Sequence, residues 1–187
     1  MATYTPSLQN NIGFINALQL VKPNSLEETV QMVWQLIVTE WFPGRDGYKY
    51  SFKGPSLANG NMPDVTVIEV RAVVQNPRHT PHWAERQILL VECKRPSRDT
   101  PLGWEDTLTA QLEEDMSQTL NDSGRLFGAI AIGTKVRFYR YDGRADEGQT
   151  TTRLHQGTFD LREPAGISQV ENMMNYIKAV GWQWASI

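Results

Sequence analysis

The sequence predicts an α/β protein with a mixed sheet flanked by helices, on three observations. An amphipathic helical stripe comes first, two β-branched strands of nine or so residues come after it, and a second helical stripe precedes a further strand pair. The order helix, three strands, helix, two strands, helix departs from the repeating alternation of a doubly wound sheet. A chain of 187 residues suits one domain with a sizeable core. We divide it into an N-terminal extension over 1–24 and a single domain over 25–187.

Residues 13–21 fit a short strand or a short helix. Ser25 and Glu28 have the spacing of a capping box, so a helix starts there. Leu26, Val30, Val33, Trp34, Ile37 and Trp41 recur at three- and four-residue spacing, which marks one buried face. Pro43-Gly44 ends that helix. Residues 48–53 alternate aromatic with polar and read as a strand, and Asn59-Gly60-Asn61 is a turn. Residues 63–74 and 87–94 are rich in β-branched and aliphatic side chains and read as strands. Between them, 76–85 holds two prolines and two histidines and reads as a loop or hairpin tip.

Residues 96–102 read as a loop, and 104–120 have helical periodicity. The run 126–132 is a buried strand, Gly133-Thr134 a tight turn, and 135–141 the second strand of a hairpin. A polar loop covers 142–157, 158–161 fit a short strand, and 167–180 form a closing helix with Val170, Met173, Met174 and Ile177 on one face.

Apolar residues make up 40% and charged residues 21%, ordinary for a globular chain. The apolar runs 88–91 and 126–132 are too short to span a bilayer, so no membrane association is expected. The N-terminus lacks the basic head and apolar stretch of a secretory signal. The single cysteine, Cys93, excludes an internal disulfide and fits an intracellular, reducing compartment. A net charge of −3 disfavours a protein that simply coats nucleic acid, but leaves room for an enzyme with a local basic rim around an acidic centre.

The odd feature is the strand 88–94. It is apolar enough to be central, yet it carries Glu92 and Lys94, which strand alternation puts on one face. Buried charge needs water, a partner or a ligand. Asp64 opens the preceding long strand directly after Pro63. If the two strands are neighbours, Asp64 and Glu92 converge, and paired carboxylates suit a hard divalent cation.

Pro63-Asp64 and then Glu92-Cys93-Lys94 at the end of an apolar strand resemble the PD-(D/E)xK nuclease superfamily. The local run VECKRP is most similar to the nuclease domain of type I restriction motor subunits, and the resemblance covers about residues 25–141. It implies a restriction-endonuclease-like αβββαβ core, here with an extra C-terminal helix. It also implies a metal-activated water that hydrolyses phosphodiester bonds, in DNA rather than RNA. Asp64, Glu92 and the backbone carbonyl of Cys93 would hold Mg2+ or Mn2+, and Lys94 would position the water. A homodimer or a partner protein would supply specificity.

Members of the superfamily often draw a third acid from the first helix. Glu27 lies roughly 60° from the centre of the apolar stripe at helical spacing, whereas Glu28 points away. Gln111, Asp115 and Gln118 share a stripe on the second helix, and Gln111 matches a glutamine that contacts the site in some relatives. The alternative is a catalytically inactive nuclease-fold domain acting as a nucleic-acid- or protein-binding module, an effector or scaffold. Elsewhere, His79 and His82 read as solvated loop residues without further ligands. Cys93 reads as a small buried hydrophobe, and the tryptophans mostly as core. Lys135, Arg137 and Arg140, with Arg95 and Arg98, fit a phosphate-binding rim or solvated edges equally well.

Overall fold

The computed structural model describes residues 4–73 and 82–187. The segment 13–21 resolves to helix: α1 covers Ile12–Leu20, capped by Asn11, whose side chain accepts from the Phe14 N–H. Leu8, Phe14, Ala17 and Val21 enter the main core, so this part of the chain packs with the rest. α2 covers Glu27–Trp41 and buries Val30, Gln31, Val33, Trp34, Ile37, Val38 and Trp41. Its stripe is the expected one except for Leu26, which is exposed.

The capping box does not form. α2 begins after Leu26 with no side-chain cap. The Ser25 hydroxyl instead accepts from the Lys22 N–H and donates to the Leu20 carbonyl, closing the turn between the two helices.

The strands are β1 (Tyr48–Phe52), β2 (Val65–Val73), β3 (His82–Lys94), β4 (Arg125–Ile132), β5 (Lys135–Asp142), β6 (Thr151–Arg153) and β7 (Phe159–Asp160). They form one sheet in the order β1-β2-β3-β4-β5-β6, with β7 also beside β5. Only β3 and β4 run parallel, and that pairing requires a crossover. α3 (Pro101–Thr107), a π-helical turn (Leu108–Leu112) and α4 (Glu113–Ser117) supply it.

The helix expected from 104 therefore starts earlier, at Pro101, where Thr100 caps it, and ends earlier, at Ser117. His82–Glu85, expected in a loop, extend β3, while His79 lies outside the described residues. β6 interrupts the polar loop expected over 142–157. The closing helix α5 spans Pro164–Ser186.

The sheet separates two apolar clusters. On one face Leu89, Val91 and Cys93 meet Trp34, Ile37, Val170 and Met174, under α1, α2 and α5. On the other, Leu90 and Ile130 meet Trp104, Leu112 and Met116 under α3 and α4. A bulge between Val67 and Ile68 leaves Ile88 unopposed on β3, so Ile88 and Leu89 both enter the first cluster. α5 passes so close to this point that a Cβ on Gly181 would lie 2.4 Å from Ile88 Cγ2. Of the tryptophans, Trp34, Trp41 and Trp104 are buried, and Trp83 is exposed. Among the described residues no helix is long and apolar enough to cross a membrane.

Candidate metal centre

The antiparallel pairing of Val65 with Val91 brings the residue before β2, Asp64, level with the end of β3. Asp64 is buried, 6% exposed. One carboxylate oxygen, Oδ2, accepts the Cys93 backbone N–H at 2.7 Å. The other, Oδ1, accepts from Gln31 Nε2 at 2.7 Å. The same Gln31 amide reaches Glu27 Oε1 at 3.4 Å, and Glu27 Oε2 lies 3.6 Å from Lys94 Nζ. Gln31 thus ties the first turn of α2 to Asp64. Lys53, just past β1, brings its Nζ to 3.9 Å from Asp64 Oδ1.

Glu92 projects from the opposite face of β3 to Cys93, on the side of Leu90 and α4. It is 6% exposed, and its Oε1 is buried with no hydrogen-bond partner. Beside it is Asp115 of α4, itself buried, whose Oδ1 accepts from Asn61 Nδ2 at 2.7 Å. Burial is the main force pushing the Glu92 carboxyl well above the ordinary range; the negative charges of Asp64 and Asp115 add to it, and Lys94 opposes it. Asp64 is also raised, mainly by burial and then by Glu27, against the Cys93 N–H and the two lysines. Burial likewise pushes the Cys93 thiol well up, as suits a packed hydrophobe rather than a nucleophile.

Four of the five expected side chains, Asp64, Glu92, Lys94 and Glu27, therefore lie together. Gln111 does not join them. It is exposed, and the π-helical turn that contains it changes the register between α3 and α4. Asp115, from the same expected stripe, takes the inward position. Gln31, Lys53 and Asn61 are contributors that the sequence motif does not announce. Gln31 had one signal, a polar residue on the apolar stripe of α2 four positions after Glu27.

Among the described residues no three His, Cys, Asp or Glu side chains form a metal-holding group. The donor set that fits a hard cation is smaller: Asp64, Glu92 and the Cys93 carbonyl. The N–H and C=O of one strand residue point to the same edge, so this carbonyl shares the Asp64 side, past the last β2 pairing at Val65. Magnesium commonly uses one or two carboxylates and keeps several waters.

Comparison with protein-family models, curated proteins and solved structures finds no match to this chain.

Proposed function

We propose that this protein is a metal-dependent nuclease of the PD-(D/E)xK type, hydrolysing phosphodiester bonds in DNA. The observation that carries the reading is the buried Glu92 carboxylate. Its Oε1 has no partner, and it sits beside Asp64 at the strand end that presents Lys94. A buried carboxylate is costly unless a proton or a cation neutralises it, and a bound cation would do so at neutral pH. The succession α2, the β1–β2–β3 meander, the α3–α4 crossover and the parallel β4 supports the restriction-endonuclease-like core.

Asp64, Glu92 and the Cys93 carbonyl would hold Mg2+ or Mn2+. Such an ion, when bound, lowers the pKa of a water and offsets charge on a phosphate. Lys94, steadied by Glu27, offers its ammonium to orient that water and to stabilise developing negative charge. Gln31 and the Cys93 N–H fix the Asp64 carboxylate before anything binds, so its lone pairs need no reorganisation. Nothing in the net charge of −3 draws DNA non-specifically, so a second copy or a partner protein would deliver the substrate.

The test is cleavage of plasmid, linear duplex, single-stranded DNA and RNA with Mg2+ or Mn2+, beside calorimetric titration of the metal. Wild type should cut DNA, and Asp64→Asn should bind metal more weakly and fail to cut while melting as a folded protein. Metal binding with no cleavage of any substrate would overturn the enzymatic reading in favour of a binding module.

A further inference from the structure

We propose that Lys53 is a second substrate-binding cation of this site, receiving phosphate oxygens of a nucleic-acid strand on the Asp64 side, opposite Lys94. The inference rests on the nuclease reading for its substrate class, but on its own geometry for the residue.

Lys53 is the one non-glycine among the described residues with a left-handed backbone, φ +48°. An L side chain is disfavoured there, and glycine is the usual occupant. Glycine stands instead at the next position, where a Cβ would lie 2.4 Å from Ser51 Oγ. The chain thus makes its tight turn with Gly54 and still keeps a lysine at the left-handed position. Such residues persist where surrounding contacts over-determine them, and they cluster at functional sites. The contact here is with the site itself: the Lys53 N–H donates to the Asp64 carbonyl at 3.3 Å.

The side chain does not recoup that strain by pairing. Lys53 Nζ is 3.9 Å from Asp64 Oδ1, beyond a hydrogen bond, and the lysine side chain is 50% exposed. A half-solvated pair of this kind contributes little. Its three N–H donors remain available to an anion. Lys94 is largely buried, 15% exposed, and lies 3.6 Å from Glu27 Oε2. The two ammonium groups therefore flank the carboxylates from different depths, Lys94 inside and Lys53 at the mouth. An inner cation acts on the reacting group, and an outer one on a phosphate that is bound but does not react.

Lys53→Gly frees the backbone and deletes the cation together, and comparison with a variant that deletes the cation alone separates the two roles. Lys53→Met deletes the cation alone, and Lys53→Arg keeps it. Binding is read by fluorescence anisotropy with a labelled short DNA duplex in Ca2+, over a salt series, with the DNA recovered intact. We expect Lys53→Gly to melt above wild type and yet bind duplex roughly five- to tenfold more weakly. The slope of log K against log salt should be shallower by about 0.9, the loss of one phosphate contact. Lys53→Met should show the same slope without the higher melting point, and Lys53→Arg should keep the wild-type slope. In cleavage, both Lys53→Gly and Lys53→Met should raise KM more than they lower kcat. Wild-type affinity and slope in both variants, or no duplex binding by wild type, would overturn the proposal. A wild type that never cuts, with the slope change intact, would instead overturn the nuclease reading and leave the Lys53 contact standing.

Discussion

Two positions on β3, Gln87 in its middle and Glu92 near its end, each bury a polar side chain, and they treat it in opposite ways. At Gln87 every hydrogen-bonding atom is used. Gln87 Nε2 donates to the Ser56 carbonyl at 2.5 Å, and its Oε1 accepts from Thr119 Oγ1 at 2.6 Å and the Leu120 N–H at 2.9 Å. Its main-chain N–H and carbonyl are both taken by Asn121, each at 2.8 Å. At Glu92, also buried, Oε1 has no hydrogen-bond partner, and the repulsion of Asp64 and Asp115 outweighs the attraction of Lys94. A buried polar group fully bonded locks a fold. Five other buried side-chain atoms among the described residues also lack a partner, but the one carboxylate among them, Glu69, is paired through its other oxygen with Arg71; Glu92 has no such ion pair, which marks it as a place for a cation.

Breaking the site end should cost chemistry and spare the fold. Lys94→Met removes the inner cation while leaving Glu27, whose side chain is 31% exposed, free to turn to water. We expect cleavage to fall about a thousandfold, equivalent to roughly 4 kcal/mol of barrier. The melting temperature should barely change, measured in the same samples. Breaking the Gln87 network should do the reverse. Gln87→Met leaves the Ser56 carbonyl, Thr119 hydroxyl and Leu120 N–H without their partner, at about 3 kcal/mol in all. For a chain of this size that is roughly 6–12 °C in Tm, with cleavage at low temperature unchanged. If both variants lost stability alike, the contrast between the two positions would collapse.

How much of this is legible in the sequence depends on which physical signal each feature leaves. Periodicity reports one-sided burial, so the stripe of α2 and the strands around Val67 and Val91 can be read directly. Alternation puts Glu92 and Lys94 on one face; in the structure Glu92 lies on the Leu90 side near Asp115, while the Lys94 ammonium reaches Glu27 of α2 at the strand end. Placing Asp64 beside them needs the pairing of β2 with β3, which no single strand's pattern supplies. The misplaced features depend on local geometry that composition does not encode. A π turn looks like any helical segment in sequence, yet it rotates the residues after it, and that puts Asp115 rather than Gln111 inward. Ser25 has the right spacing for a cap, but the turn from α1 uses its hydroxyl first. Lys53 leaves no sequence signal, because its role depends on a backbone angle and on where β1 ends.

The smallest expected effect is also the sharpest test of the open carboxylate. Folding raises the Glu92 pKa, so the folded chain holds that proton more tightly than the unfolded one. Stability of the metal-free wild type therefore declines as pH rises from the ordinary carboxylate range through the folded pKa. Asp64, also raised, adds in the same direction. Glu92→Gln cannot acquire the charge. At acidic pH it should match wild type, and at neutral pH without metal it should be more stable by about 1–2 kcal/mol. Magnesium should raise the wild-type melting temperature at neutral pH and leave Glu92→Gln nearly unmoved, since ligand binding stabilises only a state that binds it. Melting curves across pH, with and without magnesium, read both differences. A variant no more stable than wild type at neutral pH would mean that Glu92 already finds its compensation within the chain, and the distinction from Gln87 would reduce to one of degree.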